Sequence, residues 1–184
     1  MSKFSLILAA VVVVALGGFA IRSFASSGNG DVPQVGQKAP GFTLPSEKGP
    51  EVSLDNYHGK WVVLYFYPKD MTSGCTLEAH NFEQDLPRYK AANAVVVGVS
   101  VDSIASHKEF CAKDSLTFTL LSDTDKKVVA EYGSLGNYAG FKIAKRNTFL
   151  INPEGKIAKV WTGVDPAHHS QEVLAALHGL EKQS

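Results

Sequence analysis

The run Trp61-Val62-Val63-Leu64-Tyr65-Phe66-Tyr67 contains only aromatic, β-branched and aliphatic side chains and stops at Pro68. A strand with one solvated face alternates polar and apolar residues, whereas a run with no polar member is the pattern of a strand covered on both faces. Proline closes it, having no N–H to give to a ladder. From Cys75 onward Leu77, Phe82, Leu86 and Tyr89 recur near helical spacing, and Pro87 is expected to disturb the register of that helix. Ala94 to Val101, A-V-V-V-G-V-S-V, is a second buried strand. Two buried strands joined through a helix form a βαβ unit, with parallel strands and a right-handed crossover. The fold class is therefore α/β.

The pattern continues outward in both directions. Asp102-Ser103 supplies a helix cap, followed by Ile104, His107, Lys108, Phe110 and Cys111 on a helical period. Phe118 to Leu121 is a short apolar strand, and a helix through Val128, Val129 and Tyr132 ends at Gly133. Thr148 to Ile151 and Ile157 to Trp161 flank the turn Asn152-Pro153-Glu154-Gly155, which makes a hairpin, and the tail from Pro166 to Leu180 is an amphipathic helix. Towards the N-terminus, Phe42-Thr43-Leu44 and Val52-Ser53-Leu54 flank Gly49-Pro50 as a further short hairpin. A hairpin, a parallel core, an antiparallel hairpin and a closing helix give a mixed sheet flanked by helices, the architecture of a thioredoxin-like fold.

Length and charge set the outer limits. The chain has 184 residues, 45% apolar and 20% charged, room for one ordinary domain after an N-terminal segment is set aside. Phe4 to Ile21 is almost purely apolar, with Lys3 before it and Arg22 after it. This stretch fits a signal peptide with Ser23-Phe24-Ala25 as the cleavage site, and it is also long enough to anchor the chain in a bilayer through residues 4–21. Either way the domain is expected outside the cytosol, in the periplasm, free or held at the inner membrane. The expected organisation is a leader over 1–25, a spacer over 26–34 rich in small and polar residues, and one domain over 35–184. Beyond the leader 16 basic residues face 18 acidic ones, and no basic face is concentrated enough to bind nucleic acid.

Only two cysteines occur, Cys75 and Cys111. In an exported chain a permanent structural disulfide is one reading of such a pair. Their surroundings offer another. Cys75 falls at the first turn of a helix, where unpaired backbone N–H groups and the positive end of the helix dipole favour thiolate over thiol. The preceding Thr72 and Gly74 provide a hydroxyl and a close backbone approach for a small polar substrate.

The segment F-Y-P-K-D-M-T-S-G-C-T-L-E, Phe66 to Glu78, resembles the peroxiredoxin active-site motif P-x-x-x-T-x-x-C, and within that family the Q type, or bacterioferritin comigratory protein. The similarity extends through V-S-V-D-S at 99–103, L-L-S-D at 120–123 and K-R-N-T-F-L-I-N-P-E-G-K at 145–156. It implies a thiol peroxidase acting on hydrogen peroxide and organic hydroperoxides without metal or organic cofactor. By position it makes Cys75 the peroxidatic cysteine, Thr72 the hydroxyl that holds the peroxide, Pro68 the shield over the thiolate and Arg146 the guanidinium beside it. Glu78 fits the motif too, although a solvated first-turn carboxylate explains it equally well. Many Q-type proteins carry a second cysteine five residues after the first; here His80 stands in that place. Another set carries its resolving cysteine on the helix after the second strand, and the resemblance assigns that role to Cys111. A Cys75–Cys111 disulfide formed within one monomer, opened by a thioredoxin-like dithiol, would complete the cycle. Such a bond would require local unwinding of one or both helices.

Three other readings compete. Cys75 with His80 and His107 with Cys111 have the spacing of metal ligands, although histidines on helices are more often solvated. A thiol-disulfide oxidoreductase is disfavoured by the missing C-x-x-C. A static disulfide would suit a non-catalytic binding domain. His168-His169 at the start of the last helix reads as a cap, a weak metal site or, more commonly for such a pair, a solvated face, and Tyr138 and Phe141 are candidates to line a substrate pocket.

Overall fold

The computed structural model describes residues 30–182, so the leader expected over 1–25 lies outside the described residues. Among the described residues no helix is long and apolar enough to cross a membrane. The elements follow the order β1 (Thr43–Pro45), β2 (Glu51–Ser53), β3 (Trp61–Phe66), α1 (Ser73–Ala91), β4 (Ala94–Ser100), α2 (Ile104–Asp114), β5 (Thr119–Ser122), α3 (Lys127–Glu131), β6 (Leu135–Tyr138), β7 (Phe141–Ala144), β8 (Asn147–Ile151), β9 (Ile157–Thr162) and α4 (His169–Glu181).

A five-stranded sheet in the order β5-β4-β3-β8-β9 forms the centre. β3 and β4 pair in parallel, as do β4 and β5, while β8 runs antiparallel to both β3 and β9. The mixed, helix-flanked sheet expected from the sequence is the sheet observed, and β3 is its middle strand, buried along its whole length. Alternation then sorts its side chains. Trp61, Val63, Tyr65 and Tyr67 enter a core layer with Cys75, Phe82, Leu86 and Tyr89 of α1, Phe110 of α2, and Val173, Leu174 and Leu177 of α4. Val62, Leu64 and Phe66 enter the opposite layer, closed by Val128 and Val129 of α3, Tyr132, and Leu44 of the β1–β2 hairpin. Each fully buried aromatic or leucine side chain contributes roughly 1.5–3 kcal/mol. Gly98, paired with Tyr65 across β3 and β4, leaves room for that ring, since a Cβ there would sit 2.8 Å from the Tyr65 hydroxyl oxygen and 2.7 Å from Leu120 Cδ2.

Several local expectations need correction. Helix α1 does not falter at Pro87 but runs through it to Ala91. Proline removes one backbone donor, and the buried Leu86 and Tyr89 hold the last turn against the core. The closing helix starts at His169, not at Pro166. Part of the expected 26–34 spacer is packed on the domain: the Gly30 N–H donates to the Ala130 carbonyl at 3.1 Å, and Val32 packs against the core. The segment holding Tyr138 and Phe141 is not a plain loop. It is the hairpin β6–β7, turning through Ala139 and Gly140 at φ 50° and 87°, the left-handed pair of a tight two-residue turn.

Candidate active site

Helix α1 begins at the foot of β3 after a short strained loop. Met71 sits at φ 57°, a conformation that a non-glycine residue adopts at a cost of about 1–2 kcal/mol. The loop is held in that shape by Asp70, whose N–H donates to Asp102 Oδ2 at 3.0 Å and whose carboxylate accepts the Tyr67 hydroxyl at 2.7 Å. The strained turn delivers Thr72 to the N-cap of α1. Thr72 does not cap the helix with its side chain. Its hydroxyl donates to the Lys69 carbonyl at 3.0 Å, which leaves the oxygen lone pairs open.

The Thr76 N–H makes the first turn's bond, to the Thr72 carbonyl at 2.8 Å, so the N–H groups of residues 73–75 have no acceptor within the helix. Cys75 lies in this first turn and is 1% exposed. Arg146, immediately before β8, reaches across from the strand next to β3. Its Nη2 donates to Cys75 Sγ at 3.2 Å and its Nη1 to Glu78 Oε2 at 2.6 Å. Burial disfavours the guanidinium charge, and the neighbouring Cys75 sulfur and Glu78 carboxyl more than offset it, so Arg146 is held charged. Gly74 makes the approach possible: a Cβ there would stand 2.8 Å from Arg146 Nη2. Arg146 is thus largely withdrawn from solvent and engaged on both sides.

Glu78 is not a solvated carboxylate either, being 1% exposed. Its Oε1 is buried without a hydrogen-bond partner. Burial lifts this carboxyl to about 7, against the opposing pull of Arg146. Pro68 and Arg146 form one wall of an open, largely apolar cleft of ≈ 380 Å³, completed by Tyr138 and Ile143 of the β6–β7 hairpin and by Val164. Tyr138 lines this cleft as anticipated; Phe141, its partner across the hairpin, does not.

Cys111 lies on α2, half-buried against the same core layer as Cys75, and both are free thiols. Burial, together with the carboxylates of Glu47 and Asp70, pushes the Cys111 thiol up to about 12. Two histidines depart from expectation. His107 is fully buried with Nδ1 2.8 Å from Asp70 Oδ2, and His169 is fully buried with Nε2 2.8 Å from Thr148 Oγ1. His80, 3.1 Å from Asp114, and His168 are exposed. Among the described residues no three His, Cys, Asp or Glu side chains converge as a metal ion would need. Outside the site itself, the buried pair that the sequence did not foresee is Asp70 with His107, beneath the loop that precedes Cys75. The alternation of apolar and polar residues gives no sign that a charged side chain will be buried by a loop.

The arrangement of a buried thiol, a helix N-terminus, a fixed guanidinium and an open hydroxyl is suited to nucleophilic attack by sulfur on a bond whose leaving atom gains negative charge. Comparison with known proteins points the same way. Residues 35–160 match the model of the AhpC/TSA family. The chain is 41% identical over 148 residues to peroxiredoxin Bcp of Xanthomonas campestris pv. campestris, spanning 77% of this chain and 92% of that protein. Among solved structures it resembles a cysteine-to-serine mutant of Xylella fastidiosa PrxQ, at a TM-score of 0.78 and 34% identity over 83% of this chain and 99% of the other. It also resembles the Xanthomonas campestris bacterioferritin comigratory protein, studied for its alkyl peroxide reduction activity, at a TM-score of 0.71 and 38% identity over 75% and 90% of the two chains.

Proposed function

Since this chain belongs to the AhpC/TSA family and is a peroxiredoxin enzyme of the Bcp, or Q, kind, we propose that Cys75 is its peroxidatic cysteine and Cys111 its resolving cysteine. One contact carries most of the weight: Arg146 Nη2 lies 3.2 Å from a thiol placed at the first turn of α1.

The Cys75 thiolate attacks the terminal oxygen of a hydroperoxide. The S–O bond forms as the O–O bond breaks, the sulfur is oxidised to a sulfenic acid, and the departing alkoxide or hydroxide leaves as alcohol or water after gaining a proton. Negative charge moves from sulfur to the leaving oxygen, and the donors present meet it at both ends: the Arg146 guanidinium and the open N–H groups of the first helical turn. Thr72 can accept the hydroperoxide's own O–H, because its own proton is spent on the Lys69 carbonyl. Pro68 closes one side of the approach with a ring that has no donor to stabilise water there. The apolar cleft beside it, with Tyr138, Ile143 and Val164, suits the carbon chain of an organic hydroperoxide, and the alkyl peroxide activity of the Xanthomonas relative supports that substrate class alongside hydrogen peroxide.

Cys111 then attacks the sulfenic acid to give a Cys75–Cys111 disulfide within one chain, which is why a monomer suffices. An external dithiol of the thioredoxin-like kind reopens the bond. The apolar run over residues 4–21 supports a location for enzyme and reductant outside the cytosol, in the periplasm or at the inner membrane.

Intact-mass analysis after one equivalent of hydrogen peroxide tests the cycle. We expect the wild-type protein to lose two hydrogens, and Cys111→Ser to gain one oxygen and to stop turning over with a dithiol reductant. Unchanged mass in the wild type, with unchanged turnover in Cys111→Ser, would remove Cys111 from the cycle.

A further inference from the structure

Helix α2 carries Cys111, yet of its residues only His107 and Phe110 are buried. An element that buries so little apolar surface is among those that open locally at modest cost. What holds it are polar clamps on both sides of Cys111. One turn before the cysteine, His107 is fully buried, with Nδ1 2.8 Å from Asp70 Oδ2 and Nε2 3.2 Å from the Leu121 carbonyl oxygen. Asp70 belongs to the loop that presents Thr72 and Cys75, and its carboxylate also accepts the Tyr67 hydroxyl and the Ser106 hydroxyl, both at 2.7 Å. Three residues after the cysteine, Asp114 lies 3.1 Å from His80 of α1, and the Glu83 carboxylate of α1 accepts the Thr117 N–H and hydroxyl at 2.7 Å each. The clamp at Asp70 is the buried one, with both side chains essentially out of solvent. A buried pair of this kind is weak evidence for stability, since apolar groups of similar shape often serve as well or better.

Building on Cys111 as the resolving thiol, we propose that Asp70 and His107 are positioning residues for the resolving step: the pair latches α2 to the peroxidatic loop while Cys75 reacts, and release of the latch sets the rate at which Cys111 reaches the Cys75 sulfenic acid. In that step the Cys111 thiol gives up its proton and its sulfur attacks Cys75 Sγ. The S–S bond forms as the S–O bond breaks, and hydroxide leaves and takes the proton as water. The closed helix opposes this chemistry as well as the geometry. Burial and nearby carboxylates keep the Cys111 thiol protonated until α2 opens to water. The peroxide step needs none of this opening, because Arg146, Thr72 and the helix N-terminus are already assembled in the closed form.

The test is quench-flow oxidation of the reduced full chain by hydrogen peroxide, with mass analysis of each time point, for wild type, His107→Gln, Ser106→Ala and Cys111→Ser. Ser106→Ala removes one donor to Asp70 from a partly exposed position and leaves no cavity in the core, so it decides the matter if His107→Gln does not fold. Cys75 oxidation should remain within about threefold of wild type in both latch variants. Disulfide formation should accelerate about tenfold in His107→Gln, equivalent to 1.4 kcal/mol removed from the closed state, and less in Ser106→Ala. Oxidation of Cys75 to the sulfinic acid under excess peroxide should fall in parallel. Disulfide formation that is unchanged or slower in the folded variants overturns the latch, as does a loss of the peroxide step equal to that of the resolving step. A wild-type chain that forms no disulfide at all removes instead the assignment of Cys111, and the latch with it. The two failures are thereby told apart.

Discussion

Arg146 divides its guanidinium between the Cys75 sulfur and the Glu78 carboxylate, and the second partner controls how much of its charge the first one feels. Glu78 is the residue to perturb. Burial lifts its carboxyl from 4.5 to about 7, so folding favours the protonated form. The stability contributed by this group is full below the unfolded value and is lost as pH rises through about 7. Glu78→Gln keeps the shape and removes the titration. Denaturation midpoints taken at about pH 5 and about pH 8.5 should therefore move in favour of the variant, relative to wild type, as pH increases. A gap that stays constant over that range would mean that Glu78 does not titrate there. Glu78, His107 and His169 all read from sequence as solvated or undecided. The partners that make their burial tolerable, Arg146, Asp70 and Thr148, come from distant segments, and helical periodicity carries no trace of them.

Helix α1 meets the loop before β8 at Gly74, where absence of a side chain lets the guanidinium pass. Alanine there would place a Cβ 2.8 Å from Arg146 Nη2. The atom displaced is the far end of a long side chain rather than backbone, so the fold should tolerate the change to within about 1 kcal/mol. The chemistry should not: with Arg146 pushed off the sulfur, we expect Gly74→Ala to slow Cys75 oxidation by about 10²-fold, the usual scale for loss of one charge-stabilising donor. Stopped-flow oxidation together with a urea titration checks both halves. Equal losses of rate and stability would assign Gly74 to packing instead. At this scale the long elements were readable, because β3, β4 and α1 carry strong apolar periodicity. The hairpin β6–β7 was not. Its strands, Leu-Gly-Asn-Tyr and Phe-Lys-Ile-Ala, lack a β-branched run, and one of its two left-handed turn positions is filled by Ala139, which gives no turn signal. Pro87 misled in the opposite sense, since tertiary packing of α1 outweighs one missing backbone bond.

Across the whole molecule, the sheet order β5-β4-β3-β8-β9 explains why residues 71 positions apart meet. β3 delivers the loop and helix that hold Pro68, Thr72 and Cys75, and β8, its antiparallel neighbour, begins beside Arg146. The βαβ core and the closing hairpin were legible in hydrophobic pattern and turn chemistry, and the motif around Cys75 identified the family before any coordinates. The clamp that ties α2 to the loop before Cys75 was not legible, because it consists of single polar side chains whose meaning depends on burial. If the Cys75 sulfur is the atom that peroxide meets first, its removal abolishes the fast reaction. Stopped-flow mixing of the reduced protein with hydrogen peroxide measures this directly. We predict rapid oxidation in the wild type and in Cys111→Ser, and none above the uncatalysed thiol rate in Cys75→Ser; fast peroxide consumption by Cys75→Ser would contradict it.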